Sequence, residues 1–283
     1  CDPGAWSIRV SWLCAESLFH GSLIELGDVR CCAPKSGAGA EECAQVTQLL
    51  VVRRGVFVVH RRGRSGAADA NTAVLLRAGE VYRVSHPAAG GDRCIVLVIR
   101  RQDLAEEVLQ RAGASATISS GAQLAARLLA ATAKRQTADA LEVEESAIGV
   151  LLAVAGELGS STGTVSRPTA AQERRIGQLR VVLASAPEVR WTLAGLGRVV
   201  NCSPFHLARQ FRAGTGESIG RYLTRLRLAL ALERLAAGES DLARLAVDVG
   251  FAGHSHFTAS CRAAYGFVPT ELRDRLTRPT FIN

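Results

Sequence analysis

The sequence lacks any hydrophobic run long enough to cross a membrane, since a spanning helix needs about 18 or more consecutive apolar residues. Residues 1–9 also lack the basic stretch followed by a long apolar stretch that marks a secretion signal. Methionine is absent throughout, even at position 1, which suggests that the sequence begins after processing or truncation. We therefore expect a cytoplasmic protein with no membrane partner.

Lysine is absent from residues 168–283, where 16 arginines stand against nine acidic residues and give a net charge of +7. The rest of the chain contributes only +1 to the total of +8. A basic excess confined to one part is typical of a segment that neutralises nucleic-acid phosphates, although a solvated basic face would give the same count.

The length and composition predict two globular domains. The chain has 283 residues, of which 48% are hydrophobic and 21% charged, and this exceeds a typical single domain. Residues 156–170, GELGSSTGTVSRPTA, are small, polar and interrupted by Gly and Pro, as in a linker. We place an N-terminal domain at 1–159, a linker at 160–170 and a C-terminal domain at 171–283.

The N-terminal part predicts strands followed by helices. Short β-branched or apolar runs, separated by Gly, Pro or Asn, favour an antiparallel sandwich or barrel and lie at 46–57, 72–76, 82–85 and 94–99. Helical patterns follow at 102–111, 121–135 and 143–158. Leu124, Leu128 and Leu129 share one face of the second helix, so we expect these helices to pack on the barrel or to mediate self-association.

Two segments of the C-terminal part repeat the layout of a short helix, a tight turn and a second helix. In the first, Thr192 can cap a helix that ends near Asn201, and Ser203 with Pro204 starts a second helix that runs to about Ala213. In the second, Asp241 caps residues 242–249, Gly250 makes the turn, and residues 254–264 form the second helix. Each segment predicts a helix-turn-helix unit.

A connecting helix at 219–237 is predicted between the two units. About 19 residues at 1.5 Å each would span roughly 28 Å. This is close to one turn of B-DNA, so two recognition helices could enter successive major grooves.

These residues resemble the AraC/XylS family of bacterial regulators. The similarity is carried by TLAGLGRVVNCSPFHLARQFRAGTGES and LARLAVDVGFAGHSHFTASCRAAYGFVPTELR, and it covers about 110 residues. The resemblance implies an all-α domain of two helix-turn-helix motifs joined by a long helix, with double-stranded DNA as partner.

The resemblance also implies which residues contact DNA. Base contacts fall on Phe205, Ala208, Arg209, His254, Ser255 and Thr258. Phosphate contacts are expected at Ser203, Arg212, Ser218, His256 and Arg262, while His206, and similarly His256, packs, caps or touches DNA. Among these residues, Arg209 has a guanidinium group that can donate to both O6 and N7 of a guanine. Two positions depart from the family, Gly197 for Ala and Cys261 for Phe, and both substitutions are expected to loosen packing.

Residues 70–99 resemble the cupin-like domain attached to many such regulators. The fold class expected for the whole chain is α+β, with an N-terminal cupin-like β-barrel and trailing helices. A metal-dependent cupin enzyme would show a His-x-His pair, yet His60 has no histidine two residues away and Tyr82 stands near the later His position. We therefore expect no enzymatic activity.

The eight cysteines lack a Cys-x-x-Cys pair, and without a secretion signal they do not indicate a disulfide framework. Five residues that could converge as soft metal ligands, with zinc as the candidate cofactor, are Cys31, Cys32, Cys43, His86 and Cys94. Unlinked thiols in the core are the alternative. A pocket for an acidic small molecule is a further possibility, lined by Arg53, Arg54, Arg61, Arg62 and Arg83.

The function expected from these features is that of a regulator controlled by a small molecule, metal or thiol state at the N-terminal domain. Homodimerisation and contact with RNA polymerase are expected with it. Two alternatives are a DNA-repair methyltransferase with a Cys-ligated zinc module and an architectural DNA binder with little sequence preference.

Overall fold

The computed structural model describes residues 13–135, 137–160 and 169–278. Within these ranges the N-terminal domain contains nine antiparallel strands: β1 Leu13–His20, β2 Ile24–Cys31, β3 Glu42–Cys43, β4 Gln48–Arg61, β5 Arg64–Asp69, β6 Thr72–Leu76, β7 Val81–Ser85, β8 Asp92–Ile99 and β9 Ser115–Thr117. The predicted antiparallel β-domain is therefore confirmed. β5 was not predicted, because RSGAAD carries no β-branched or aromatic residue.

Strand β4 joins two layers of sheet. Its first half pairs with β8 and β6, in a sheet of order β1-β2-β8-β4-β6-β9, and its second half pairs with β5 and β7. The pairing with β8 is interrupted between Val52 and Arg54, as expected of a bulge that bends a strand. Val52, Phe57, Val74 and Val96 lie in the core between the layers.

Three helices cover the other face of the first sheet: α1 Gln102–Arg111, α2 Ser120–Ala133 and α3 Ala140–Ser160. Leu26, Leu97 and Leu151 are fully buried there. Helix α3 continues through residues 156–160, whose composition had suggested a linker, because Leu158 is buried in this core. Of the linker assigned to 160–170, residues 161–168 lie outside the described residues.

The C-terminal domain is helical throughout its described part: α4 Ala170–Ser185, α5 Leu193–Val199, α6 Pro204–Thr215, α7 Ile219–Ala236, α8 Leu242–Asp248, α9 His254–Tyr265 and α10 Pro269–Thr277. Helix α7 contributes to two cores, with Tyr222 and Leu226 beside α5 and α6, and Leu232 and Leu235 beside α8 and α9. The expected all-α domain of two units joined by a long helix is confirmed. None of the helices in the described ranges is both long and apolar enough to cross a bilayer.

Helix α2 takes part in two cores. Ala126 and Leu129 pack with α3 and the sheet, whereas Leu124 and Leu128 pack with Phe257 and Cys261 of the C-terminal domain. The prediction that Leu124, Leu128 and Leu129 share one face was therefore wrong, because two groups of apolar residues point in different directions. Leu124, Leu128 and Leu129 of α2 therefore all make contacts within the same chain.

Candidate nucleic-acid interface

The first helix-turn-helix unit is built by local caps. The amide of Gly195 donates to Thr192 Oγ1 at 3.0 Å and starts α5, and the amide of His206 donates to Ser203 Oγ at 3.4 Å and starts α6. Asn201 between them has φ +48°, the left-handed conformation that asparagine tolerates. These caps are those that the sequence predicted.

Gly197 allows α5 and α6 to come close together. A Cβ atom at this position would lie 2.6 Å from the carbonyl oxygen of Cys202. The amide of Cys202 donates to the carbonyl of Gly197 at 2.8 Å, so the turn folds directly onto the helix. The expectation that this glycine loosens packing was wrong, because the glycine is what permits the contact.

Helix α6 presents a chemically mixed outer face. Leu207 and Phe211 are fully buried, whereas Phe205 is 79% exposed at the first turn. Arg209 and Arg212 are exposed on the same helix, and Ala208 is half-buried. An exposed aromatic ring beside two exposed guanidinium groups suits contact with base edges and phosphates.

A chain of hydrogen bonds fixes His206. Arg175 of α4 donates to Gln210 Oε1 at 2.8 Å, which turns the Gln210 amide nitrogen to 2.7 Å from His206 Nε2. If Nε2 accepts from that amide, the hydrogen of a neutral imidazole lies on Nδ1. Nδ1 is then a poor acceptor for Arg209, whose Nη2 lies 3.2 Å away. His206 therefore packs within the unit, and Arg209 remains available.

The second unit is partly covered. Asp241 caps α8 through the amide of Arg244 at 2.9 Å, and His254, Ser255 and Arg262 of α9 are exposed. Helix α2 packs against α9 and α10. Thr258 is half-buried, and its Oγ1 is buried with no hydrogen-bond partner among the described residues. The predicted base contact of Thr258 is not available in this arrangement, because its hydroxyl faces the protein interior.

Two other residues of the second unit have packing roles. The ring of His256 is exposed but meets Phe251 edge to face, with ring centroids 5.3 Å apart. Cys261 is buried in the core where the family carries Phe, and burial raises the pKa of its thiol to about 12. Both residues help to hold α9 on the core.

The arginines of the C-terminal domain divide into two groups. Those on α7 are engaged, since Arg221 and Arg225 contact Glu217, Arg227 donates to backbone carbonyls, and Arg234 contacts Glu239 and Asp248. Within residues 169–278, arginines with no carboxylate recorded within 4.0 Å are Arg174, Arg175, Arg190, Arg198, Arg209, Arg212, Arg227, Arg262 and Arg275. Three of these nine lie on the outer faces of α6 and α9, namely Arg209, Arg212 and Arg262. Arg198 of α5 is also exposed. It was not among the predicted DNA contacts, because the apolar spacing that predicted α5 carries no information about its outer face.

Comparison with known proteins agrees with this geometry. A family model described as a helix-turn-helix domain matches residues 196–275. A putative AraC-like transcription regulator from Streptomyces lividans is 33% identical over 93 residues, which are 33% of this chain and 31% of that protein. Residues 196–275 form an AraC-type helix-turn-helix domain. The transcriptional activator RhaS of Escherichia fergusonii is 37% identical over 67 residues, or 24% of each chain.

The AraC-type domain is the part that these sequence comparisons cover, and the chain spans less than a third of the length of the two relatives. Among solved structures, ToxT from Vibrio cholerae aligns with 90% of this chain and 99% of its own, with 11% identity and a TM-score of 0.37.

The AraC-type domain is attached to the N-terminal domain through a buried group that we call the Glu233 cluster: Glu233 of α7 with Arg53, Arg93, Arg127 and Asp28. Glu233 Oε1 accepts from Arg53 Nε at 2.9 Å and from Arg127 Nε at 3.2 Å. Asp28 Oδ2 accepts a hydrogen bond from Arg53 Nη1 at 3.0 Å. The two oxygens of Asp28 also accept from Nε and Nη2 of Arg93. Burial opposes the charge on Glu233, but Arg127 and Arg53 outweigh it and lower the pKa of this carboxyl.

A second attachment, the Asp69 cluster, consists of Asp69, Thr72, Asn71, Arg180 and Tyr222. The Tyr222 hydroxyl donates to Asp69 Oδ2 at 2.5 Å, and Arg180 Nε lies 3.2 Å from the same oxygen. Asn71 Nδ2 donates to the carbonyl of Tyr222 at 3.1 Å. Burial, together with the Asp69 carboxylate, raises the pKa of the Tyr222 hydroxyl despite the opposing Arg180 charge. The AraC-type domain is thus held at both ends of α7.

Three of the five residues predicted as metal ligands do not join a common site. Cys32 and Cys43 are exposed, and Cys94 is buried with its Sγ 3.9 Å from Asp92 Oδ2. Cys31 and His86 do come together, and the third member of their group is Asp92. Asp92 was missed, although strand alternation places it on the same face as Cys94. No four-cysteine module forms among the described residues.

The five arginines proposed for an acidic ligand also separate. Arg53 is buried in the Glu233 cluster, and Arg53 and Arg54 line a cleft between β4 and α7. Arg61 and Arg62 line a different cleft, between β5 and α4. Arg83 is exposed and lies 3.8 Å from Glu41. They therefore do not form a single pocket.

Proposed function

We propose that this protein is a sequence-specific transcription regulator that binds double-stranded DNA through α6 and α9. The observation that carries the proposal is the pair of helix-turn-helix units whose recognition helices hold Arg209, Arg212 and Arg262 without carboxylate partners. Arginines that the fold does not neutralise are those that phosphates and guanines can engage.

Within this proposal, Arg209 reads a guanine and Phe205 and Ala208 make apolar contacts with base edges. Ser203, Arg212, Ser218 and Arg262 contact phosphates, and His254 and Ser255 approach bases from α9. The caps do not prevent this, since a capping serine accepts through oxygen and keeps its own hydrogen for a phosphate. Thr258 joins only if its buried hydroxyl becomes exposed.

The N-terminal domain supplies the control. The Glu233 and Asp69 clusters connect it to both ends of α7, so an effector that alters β4 or α2 shifts how the recognition helices are held. Such an effector must bind one arrangement more tightly than the other. We further propose that the protein acts in the cytoplasm as a homodimer and contacts RNA polymerase, as expected of a transcription regulator.

The test is binding of the purified full chain to a random duplex library and then to the flanks of its own operon, at several salt concentrations. Arg212→Ala should weaken binding to all sequences alike and reduce the salt slope by about 1. Arg221→Ala is the matched control, because Arg221 is exposed on α7 but lies on neither recognition helix. Failure to enrich any sequence at moderate salt would contradict the proposal and favour an architectural binder.

A further inference from the structure

Three potential metal ligands from separate segments converge at one end of the β-domain. Cys31 ends β2 and pairs directly with Asp92, the first residue of β8, so their side chains share a face of the sheet. His86 follows β7. Its Nε2 lies 3.3 Å from Cys31 Sγ and 3.2 Å from Asp92 Oδ1. Cys31 and His86 are buried, and Asp92 is half-buried.

The backbone fixes this convergence. Gly91 has φ +68°, and a Cβ atom there would lie 1.8 Å from the carbonyl oxygen of Cys31. The turn before β8 therefore presses on the end of β2 in a way that only glycine permits. The amide of Ser36 donates to the His86 carbonyl at 2.8 Å and holds the third segment. The three side chains are brought together by chain contacts that involve no ligand.

Hydrogen bonding within the group is incomplete. His86 Nε2 faces both a sulfur and a carboxylate oxygen, but a ring nitrogen carries at most one hydrogen. Asp92 Oδ1 is buried and accepts no hydrogen bond of good geometry from the described residues. An unsatisfied buried carboxylate oxygen is costly. A cation placed among the three atoms would satisfy all of them at once.

The spacing suits a tetrahedral ion. Bonds of about 2.3 Å to sulfur and about 2.0–2.2 Å to nitrogen and oxygen imply ligand-to-ligand distances of about 3.3–3.6 Å. The observed 3.3 Å lies at the short end of this range and the observed 3.2 Å just below it, and the three ligand atoms all lie within 4.8 Å of one another. Little movement is needed to admit an ion.

We propose that Cys31, His86 and Asp92 form a Zn²⁺ site with three protein ligands and one open position. Thiolate, imidazole and carboxylate are the ligands of protein zinc, and the carboxylate disfavours Cu(I), which prefers sulfur. Cys31 and Asp92 both line the cleft of about 730 Å³ that Glu233 and Arg234 of α7 also line. The site therefore lies beside the junction of the two domains.

The site differs from the five-residue set that the sequence suggested, and this difference supplies the controls. Cys32 adjoins Cys31 but is exposed, and Cys43 is exposed on β3. Serine at these two positions removes a thiol without removing a proposed ligand. Cys94 is not a suitable control, because its thiol lies 3.9 Å from Asp92 Oδ2.

The experiment is titration of the reduced, full-length chain with Co²⁺, followed by Zn²⁺ competition against a chromogenic chelator. One equivalent of Co²⁺ should produce a near-ultraviolet thiolate-to-cobalt absorption band, which stoichiometric Zn²⁺ should abolish. Cys31→Ser should remove the band, and His86→Gln and Asp92→Asn should weaken binding more than about 100-fold, since loss of an outer-shell partner alone costs 10–100-fold. Cys32→Ser and Cys43→Ser should retain wild-type affinity.

Circular dichroism and urea unfolding of each metal-free variant separate lost ligation from lost folding, and Asp92→Asn preserves the size of the side chain. Two results would overturn the proposal: no band from wild-type protein whose thiols are shown to be reduced, or wild-type affinity in folded Cys31→Ser. Loss of the band in Cys32→Ser or Cys43→Ser would do the same. The DNA-binding proposal stands or falls separately, because none of these readouts involves DNA.

Discussion

The recognition helices of the two units, α6 and α9, differ in how they begin and in what covers them. Helix α6 starts with a serine cap and a proline, whereas α9 starts at Gly253, which offers no side-chain cap. Arg209 and Arg212 of α6 are exposed, while Thr258 of α9 has a buried hydroxyl, and α9 also packs against α2. The first recognition helix is therefore the more exposed of the two, and the second is the one that the N-terminal domain contacts.

Removal of the Glu233 carboxylate should have the largest effect on the difference between the two units, because it weakens the attachment of α7 to the N-terminal domain. Glu233→Ala leaves Arg127, which is 2% exposed, buried without its partner. Loss of one member of a buried ion pair costs about 3–5 kcal/mol, so the free energy of unfolding in urea should fall by that amount. Hydrogen exchange in α9 should rise more than in α6. Alanine at Glu107, whose side chain is 45% exposed and pairs with Arg111, is the control, and an equal loss there would contradict the role of the cluster.

Acidification should weaken the same attachment gradually. The pKa of Glu233 is lowered from its ordinary value of 4.5 by Arg127 and Arg53, against the effect of burial. The unfolded chain therefore binds more protons, and the stabilisation is present above the unfolded pKa and lost as pH falls through the folded one. Urea unfolding from pH 7 downwards should show this loss. Glu233→Gln should show a shallower pH dependence, and an unchanged slope would assign the loss to other carboxyls.

Truncation of one side chain in each recognition helix compares the units directly. Arg209→Ala should weaken binding to the selected DNA by about 1–3 kcal/mol and relax the preference at one base pair. Thr258→Ala should have a smaller effect, because its hydroxyl is buried. Fluorescence anisotropy at fixed salt measures both. A larger loss for Thr258→Ala would reverse the ranking of the two units.

Substitutions at the N-caps of α6 and α9 should have the smallest effect on stability. Ser203→Ala removes the acceptor for the His206 amide and should destabilise the protein by about 1 kcal/mol. Gly253→Ser adds a cap where a Cβ atom meets nothing within 4 Å, and it should stabilise by only a few tenths of a kcal/mol. Thermal unfolding of the two variants checks the asymmetry. Equal shifts of opposite sign would show that α9 gains as much from a cap as α6 does.

Local features were predictable and long-range ones were not. Thr192, Ser203 and Asp241 cap the helices that they were expected to cap, because capping depends on residues only three positions apart. Arg127 gave no indication of burial, since its partner Glu233 is 106 residues away. Two of the three proposed metal ligands were predicted, and the third was not, for the same reason. Cys31 and His86 stood out by residue type, but Asp92 is identified only by the pairing of β2 with β8.

The two faces of helix α2 have a practical consequence for dividing the protein. A fragment that stops at Ser160 would expose Leu124 and Leu128 to solvent, because Phe257 and Cys261 would no longer cover them. It would also leave Arg53 and Arg127 facing outward without Glu233. We expect such a fragment to self-associate or aggregate through this exposed apolar surface. Its oligomeric state would then describe the cut surface and not the full chain.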